Sequence, residues 1–157
     1  MTNDRFATAR LLALALPVAL LGGALGFQFI GHLYPCEMCW WQRYPHIAAI
    51  PLALLAYVVP GDQLKRALVA LAALAIAVSG GIGVYHAGVE YGWWQGMTAC
   101  TSTAHGGGLA AIMNAPIVRC DQVQWSLFHI SLAGFNAIIS LLGAGTVLSL
   151  LVKARRG

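Results

Sequence analysis

The sequence predicts an all-α integral membrane protein, a four-helix bundle with two functional loops on one side of the bilayer. Three observations carry this expectation. Only 9% of the 157 residues are charged while 59% are hydrophobic, against roughly 25% charged in an ordinary soluble domain. The charges cluster, leaving four apolar runs that can cross a hydrocarbon core, which takes about 20 helical residues. Seven of the nine cations, Arg5, Arg10, Lys65, Arg66, Lys153, Arg155 and Arg156, lie beside the ends of those runs. The same composition excludes disorder, which needs high net charge and low hydrophobicity. A compact soluble fold would expose large apolar patches. The net charge of +4 is accounted for by topology and gives no sign of nucleic-acid binding.

The first span is expected at residues 11–30, behind Arg5 and Arg10. Its apolar run continues through Phe27, Phe29 and Ile30, past the roughly 7–15 residues of a signal-peptide core, so it is read as a retained anchor. The second span, 45–59, is short and carries Pro51; Pro45 disfavours helical geometry at Tyr44, so the helix either starts there or begins earlier and leaves the Trp41 carbonyl without its usual partner. The third is expected at 67–85 and the fourth at 128–152. Residues 91–118 carry no charge either, but Gly92, Gly96, Gly106, Gly107, Gly108, Asn114 and Pro116 make them a loop. By the positive-inside rule both termini are cytoplasmic, and loops 31–44 and 86–127 face outward. Residues 1–157 thus form one membrane domain. Close helix approach is expected at Gly22 and Gly26, at Gly80, Gly81 and Gly83, and at Gly143 and Gly145.

All four cysteines, Cys36, Cys39, Cys100 and Cys120, fall in the outward loops. Four thiols facing an oxidising compartment suggest two disulfides, and proximity favours Cys36 with Cys39 and Cys100 with Cys120. Cys36–Glu37–Met38–Cys39 is a C-x-x-C, a ring too small to brace a fold and suited to thiol–disulfide exchange or metal binding. The second pair closes a loop whose cross-link is worth about 3 kcal/mol in the chain-entropy model, so stapling alone could explain it. Its Gly-rich length argues for more. Zinc competes as a reading, with His32, His46, His86 and His105 as further ligands, but a second close ligand pair is missing and no metal is expected. Cys39 lies near a helix N-terminus and one turn before Arg43, and both favour its thiolate. Tyr34, Trp40, Trp41, Tyr44, Trp93 and Trp94 read as interfacial aromatics. His129 reads as a hydrogen-bonded helix residue, and Glu90 and Asp121 as solvated loop charges.

Together these residues resemble the DsbB family, membrane proteins that re-oxidise a periplasmic thioredoxin-fold oxidant and pass the electrons to quinone. The resemblance rests on four spans with cytoplasmic termini, the C-x-x-C followed by Arg43, a cysteine pair in the second loop, and Pro116–Ile117–Val118–Arg119–Cys120–Asp121 with Trp125 beyond it. It covers roughly residues 11–152 and implies a quinone-dependent protein-disulfide oxidoreductase of the bacterial inner membrane, with its cysteine loops periplasmic. It further implies a DsbA-like partner and ubiquinone or menaquinone as cofactor. Carried over by position, Cys100 is the cysteine attacked by the partner, Cys120 passes the exchange to Cys36, Cys39 faces the quinone, and Arg43 and His86 lie beside the quinone ring. The 19 residues between Cys100 and Cys120 look shorter than in the best-known members. Two other readings are a quinone-coupled enzyme of the vitamin K epoxide reductase type and a non-catalytic scaffold braced by disulfides. The former normally carries its C-x-x-C at the last span, whereas here it precedes the second.

Overall fold

A computed structural model describes residues 2–97, 101–102 and 117–156. Four long helices dominate: α1 (Thr2–Phe29), α2 (Glu37–Val58), α3 (Asp62–Glu90) and α4 (Leu132–Arg156). Between the last two lie four two-residue strands, β1 (Thr101–Ser102), β2 (Ile117–Val118), β3 (Ser126–Leu127) and β4 (Ile130–Ser131). Three helices, α1, α3 and α4, are long and apolar enough to cross a membrane. Helix α2 falls short of that because its first turns carry Gln42, Arg43 and His46. In space α3 packs on α2 and α4, and α1 packs on α4 and α2.

Helix α2 starts eight residues before the position that Pro45 suggested. Cys36 is extended (φ −75°, ψ 176°) and caps the helix, its sulfur accepting from the Cys39 N–H at 3.3 Å. That cap satisfies an N–H that would otherwise be orphaned at the helix end. Pro45 then lies inside the helix, at the cost of one bond to the Trp41 carbonyl. Helix α3 likewise runs past residue 85 to Glu90, so His86 and Glu90 stand on a helix and not in the second loop.

The last helix begins later than residue 128. Strands β3 and β4 pair antiparallel, Leu127 with Ile130, and the turn residues Phe128 and His129 have φ of 51° and 63°. Both turn residues at positive φ match the twist of a two-residue hairpin. His129 is therefore a turn residue, not a helical one. Its carbonyl accepts from the Tyr91 hydroxyl at 3.0 Å, and the same hydroxyl accepts from Ser131 N–H at 2.8 Å, tying the hairpin to the end of α3.

The core has two layers of different chemistry. Towards the termini, Ala9, Ala13, Ala49, Ala53, Ala56, Ala72 and Ala73 surround Val69, Ile76 and Val147, small side chains that let backbones approach closely. At the opposite end, Cys36, Met38, Val89, Val118 and Cys120 form a second cluster. Of the glycines expected at helix seams, a Cβ at Gly80 would stand 2.8 Å from Leu141, at Gly83 3.0 Å from the Ala133 carbonyl, and at Gly143 2.5 Å from Leu16. Gly22, Gly26, Gly81 and Gly145 have nothing within 4 Å of that position and serve no such contact among the described residues.

Candidate functional site: a thiol cluster over an apolar cavity

The C-x-x-C geometry follows from the N-cap. With Cys36 just outside α2 and Cys39 in its first turn, the two sulfurs lie 3.0 Å apart as free thiols. Cys36 is buried and Cys39 partly exposed. Cys120, also buried, comes from the second loop to hydrogen-bond with Cys36. That bond, with the one to Cys39, pushes the Cys36 thiol up from its ordinary value. Cys39 moves the other way, held below the usual thiol range by the hydrogen bond from Cys36 against the pull of burial. The buried sulfur therefore keeps its proton and the more accessible one becomes the thiolate. Cys100 lies outside the described residues, as does His105.

Helix α3 brings His86 to the pair, with Nε2 3.5 Å from Cys36 Sγ and 3.8 Å from Glu90 Oε1. The Glu90 side chain is only 7% exposed, which corrects its reading as a solvated loop charge. The extra turn of α3 folds it inward beside the cysteines. Asp121 is solvated as expected, and its pairing with Arg119 holds its carboxyl below the ordinary range.

Hydrogen-bond accounting assigns both buried histidine tautomers. Gln42 Nε2 faces the Met38 carbonyl at 3.1 Å, so it is the donor end of that amide, and it also points at His86 Nδ1 at 2.8 Å. His86 Nδ1 must accept, and its proton sits on Nε2, directed at Cys36. Asn136 Nδ2 faces the Ser79 carbonyl at 3.2 Å and Gln42 Oε1 at 2.9 Å. Asn136 Oδ1 then accepts from His46 Nε2 at 3.0 Å, and the Ser79 hydroxyl, which donates to the Gln42 carbonyl at 2.7 Å, offers His46 Nε2 a second acceptor at 2.9 Å.

This network also bears on metal binding. The ligand atoms of Cys36, Cys39 and His86 lie within 4.8 Å of one another, a grouping that could hold an ion. A metal-bound histidine normally donates its other N–H to an acceptor. Here the other ring nitrogen of His86 meets the Gln42 amide donor, and Nε2 shares its proton between the Cys36 sulfur and the Cys120 backbone carbonyl. The surroundings suit thiol chemistry better than zinc.

Beneath the thiols lies a cavity of about 350 Å³, within the size range of small-molecule sites. Leu20, Phe27, Trp125, Phe135 and Ile139 give it an apolar wall, and Cys39, Arg43, His46 and His86 give it polar points. Arg43 is no snorkelling anchor. It is buried, donates to Gln28 Oε1 at 2.5 Å and to the Ala24 carbonyl at 3.2 Å, and its guanidinium lies 5.0 Å from the Trp40 ring centre. Of the residues expected at the site, Cys36, Cys39, Cys120, Arg43 and His86 come together. Gln42, Ser79, Glu90 and Asn136 were missed as site residues, and His46 was named only as a ligand in the competing zinc reading. A polar side chain inside an apolar span is itself a signal of function, and would have singled out His46, Ser79 and Asn136; Gln42 fell in the expected first loop.

The family model described as "Disulfide bond formation protein DsbB" matches residues 6–150. A protein of Acidovorax sp. named disulfide bond formation protein B is 31% identical, over 96% of this chain and 91% of its own length. One of the same name from Verminephrobacter eiseniae is 32% identical, over 89% and 82%. An uncharacterised protein of Rickettsia prowazekii is 25% identical, over 88% and 84%. No solved structure matches significantly.

Proposed function

The chain belongs to the DsbB family of disulfide bond formation proteins, and on that premise we propose that it is an inner-membrane thiol oxidase coupling a periplasmic, DsbA-like dithiol to a membrane quinone. The observation that carries this reading is the junction of the thiol cluster with the apolar cavity: Cys120 meets Cys36, Cys36 meets Cys39, and Cys39 lines the cavity beside Arg43.

The relay runs as successive exchanges. The partner's thiolate attacks Cys100 of a Cys100–Cys120 disulfide, releasing Cys120. The antiparallel register of Thr101 with Val118 supports that pairing. Cys120 then attacks Cys36 of the Cys36–Cys39 disulfide and Cys39 leaves as thiolate. A low-pKa thiol leaves faster, and Cys39 is the thiol held low. Each exchange breaks one S–S bond and forms another, so no net electrons are lost until the last step.

The residues present fit a quinone. The cavity is apolar with few convergent polar groups, and a buried guanidinium stands beside the thiolate. Arg43 and His86 would hold the ring and Cys39 would face it. When bound, ubiquinone or menaquinone supplies a sink for two electrons and two protons, which the thiols alone lack. Topology follows from charge. Arg10 lies over the Tyr57 ring at 4.0 Å and Arg66 donates to the Ala154 carbonyl at 3.3 Å, at the end away from the cysteines. Cytoplasmic termini and a periplasmic thiol cluster are the resulting arrangement.

The test is direct. Purified protein mixed with a reduced thioredoxin-fold dithiol and a soluble quinone bleaches the quinone, and Cys39→Ser abolishes the bleaching. Bleaching that survives loss of both Cys36 and Cys39 would refute the relay.

A further inference from the structure

We propose that His46 forms a second polar subsite of the cavity, an acceptor for a hydroxyl of the reduced ligand, so that the cavity holds hydroquinone more tightly than quinone. The inference rests on the quinone reading above. His46 is 3% exposed, lines the cavity, and its Nδ1 has no hydrogen-bond partner. A buried polar atom left unpaired in a native structure calls for an explanation, and a ligand is one.

The chemistry of that ligand follows from the tautomer. The Ser79 carbonyl orients Asn136, Asn136 Oδ1 accepts from the His46 Nε2–H, and Nδ1 is left with a lone pair. In the neutral ring it can accept and cannot donate. A quinone presents carbonyl oxygens, which are acceptors too, and leaves Nδ1 unmatched. When the Cys36–Cys39 dithiol is oxidised to the disulfide, two electrons and two protons pass to the quinone and its carbonyls become hydroxyls, which donate. Position agrees with this role. Cys39, Arg43 and His46 fall at i, i+4 and i+7 on α2, one stripe covering about 10 Å of helix. His46 is thus a positioning residue at the inner end of the same cavity, acting on the equilibrium and not on the sulfur chemistry.

The experiment uses the full chain carrying Cys39→Ser, which takes no electrons from the ligand, and follows tryptophan fluorescence during titration. Three probes are compared: a short-chain ubiquinone, its hydroquinone, and the dimethyl ether of that hydroquinone, which has no O–H. With His46 present the hydroquinone binds about fivefold to tenfold tighter than the ether, the worth of one hydrogen bond. His46→Leu removes that difference and leaves quinone affinity unchanged, while His46→Gln, which keeps an acceptor oxygen, retains part of it. Equal binding of hydroquinone and ether with His46 in place overturns the inference. So does a His46→Leu chain that loses affinity equally for all three probes. Failure of every probe to bind the Cys39→Ser chain overturns the quinone site itself, and the inference with it.

Discussion

Replacing Gln42 with Leu tests whether the buried amide governs the cysteine pair from a distance. Gln42 touches no sulfur in its hydrogen bonds, yet its Nε2 sets the His86 tautomer at 2.8 Å, and His86 Nε2 stands 3.5 Å from Cys36. In Gln42→Leu the Met38 carbonyl keeps its place in the helix, and Asn136 Nδ2 keeps both the Ser79 carbonyl and hydroxyl. Only His86 Nδ1 is orphaned. One buried unpaired acceptor costs about 1–3 kcal/mol, and the lower end is expected because polar contacts between helices in lipid average roughly 0.6 kcal/mol. The ring is then free to turn, and the N–H to Cys36 weakens in the reduced state, whereas the disulfide loses little. Loss of about 1 kcal/mol from the dithiol form makes the couple roughly 20 mV more reducing, about a fivefold change in its equilibrium constant. The assay is equilibration of the Cys36–Cys39 couple against a graded thiol–disulfide buffer, read by alkylation and mass. An unchanged potential, or one shifted to more oxidising values, would refute the coupling through His86.

Other consequences follow from the same geometry. Because the hydrogen bond from Cys36 holds Cys39 below the usual thiol range, reduced protein alkylates first at Cys39. Cys36→Ala shifts the pH profile of that alkylation upward, since the thiolate loses its donor; a profile that stays in place contradicts the assignment. Gly83→Val drives a side chain into the Ala133 carbonyl and Ala137 N, both 3.0 Å from its Cβ. It should cost about 1–3 kcal/mol in detergent unfolding, whereas Gly81→Ala, with open space, should cost less than a third as much.

Much of this architecture was legible because lipid leaves few options. Long uncharged runs and flanking cations located the helices, since a backbone in hydrocarbon must satisfy its own hydrogen bonds. The cysteines were legible by placement, as all four avoid the apolar runs. Helix ends were less so. Pro45 argued for a late start to α2, but the Cys36 sulfur supplied a cap that residue type alone does not advertise. Glu90 looked like a loop charge because the third apolar run ends at Tyr85, yet packing carried the helix one turn further and buried it. Gln42, His46, Ser79 and Asn136 are far apart in sequence, and only the crossing of α2, α3 and α4 makes them one network. The polarity of His46, Ser79 and Asn136 within apolar segments was visible, Gln42 lay in the expected first loop, and the partners of all four were hidden. Glycine seams split the same way: Gly80 and Gly83 meet α4, while Gly81 between them points elsewhere.

The central claim is that Cys120 hands its disulfide to Cys36 and releases Cys39. Non-reducing peptide mapping of the full chain with both disulfides formed, acid-quenched during reaction with a reduced thioredoxin-fold partner that keeps only its attacking cysteine, measures this most directly. A cross-link between Cys36 and Cys120 is the predicted species, because those sulfurs already hydrogen-bond. Accumulation of a Cys36–Cys100 cross-link instead, or of no link between the loops, would contradict the relay.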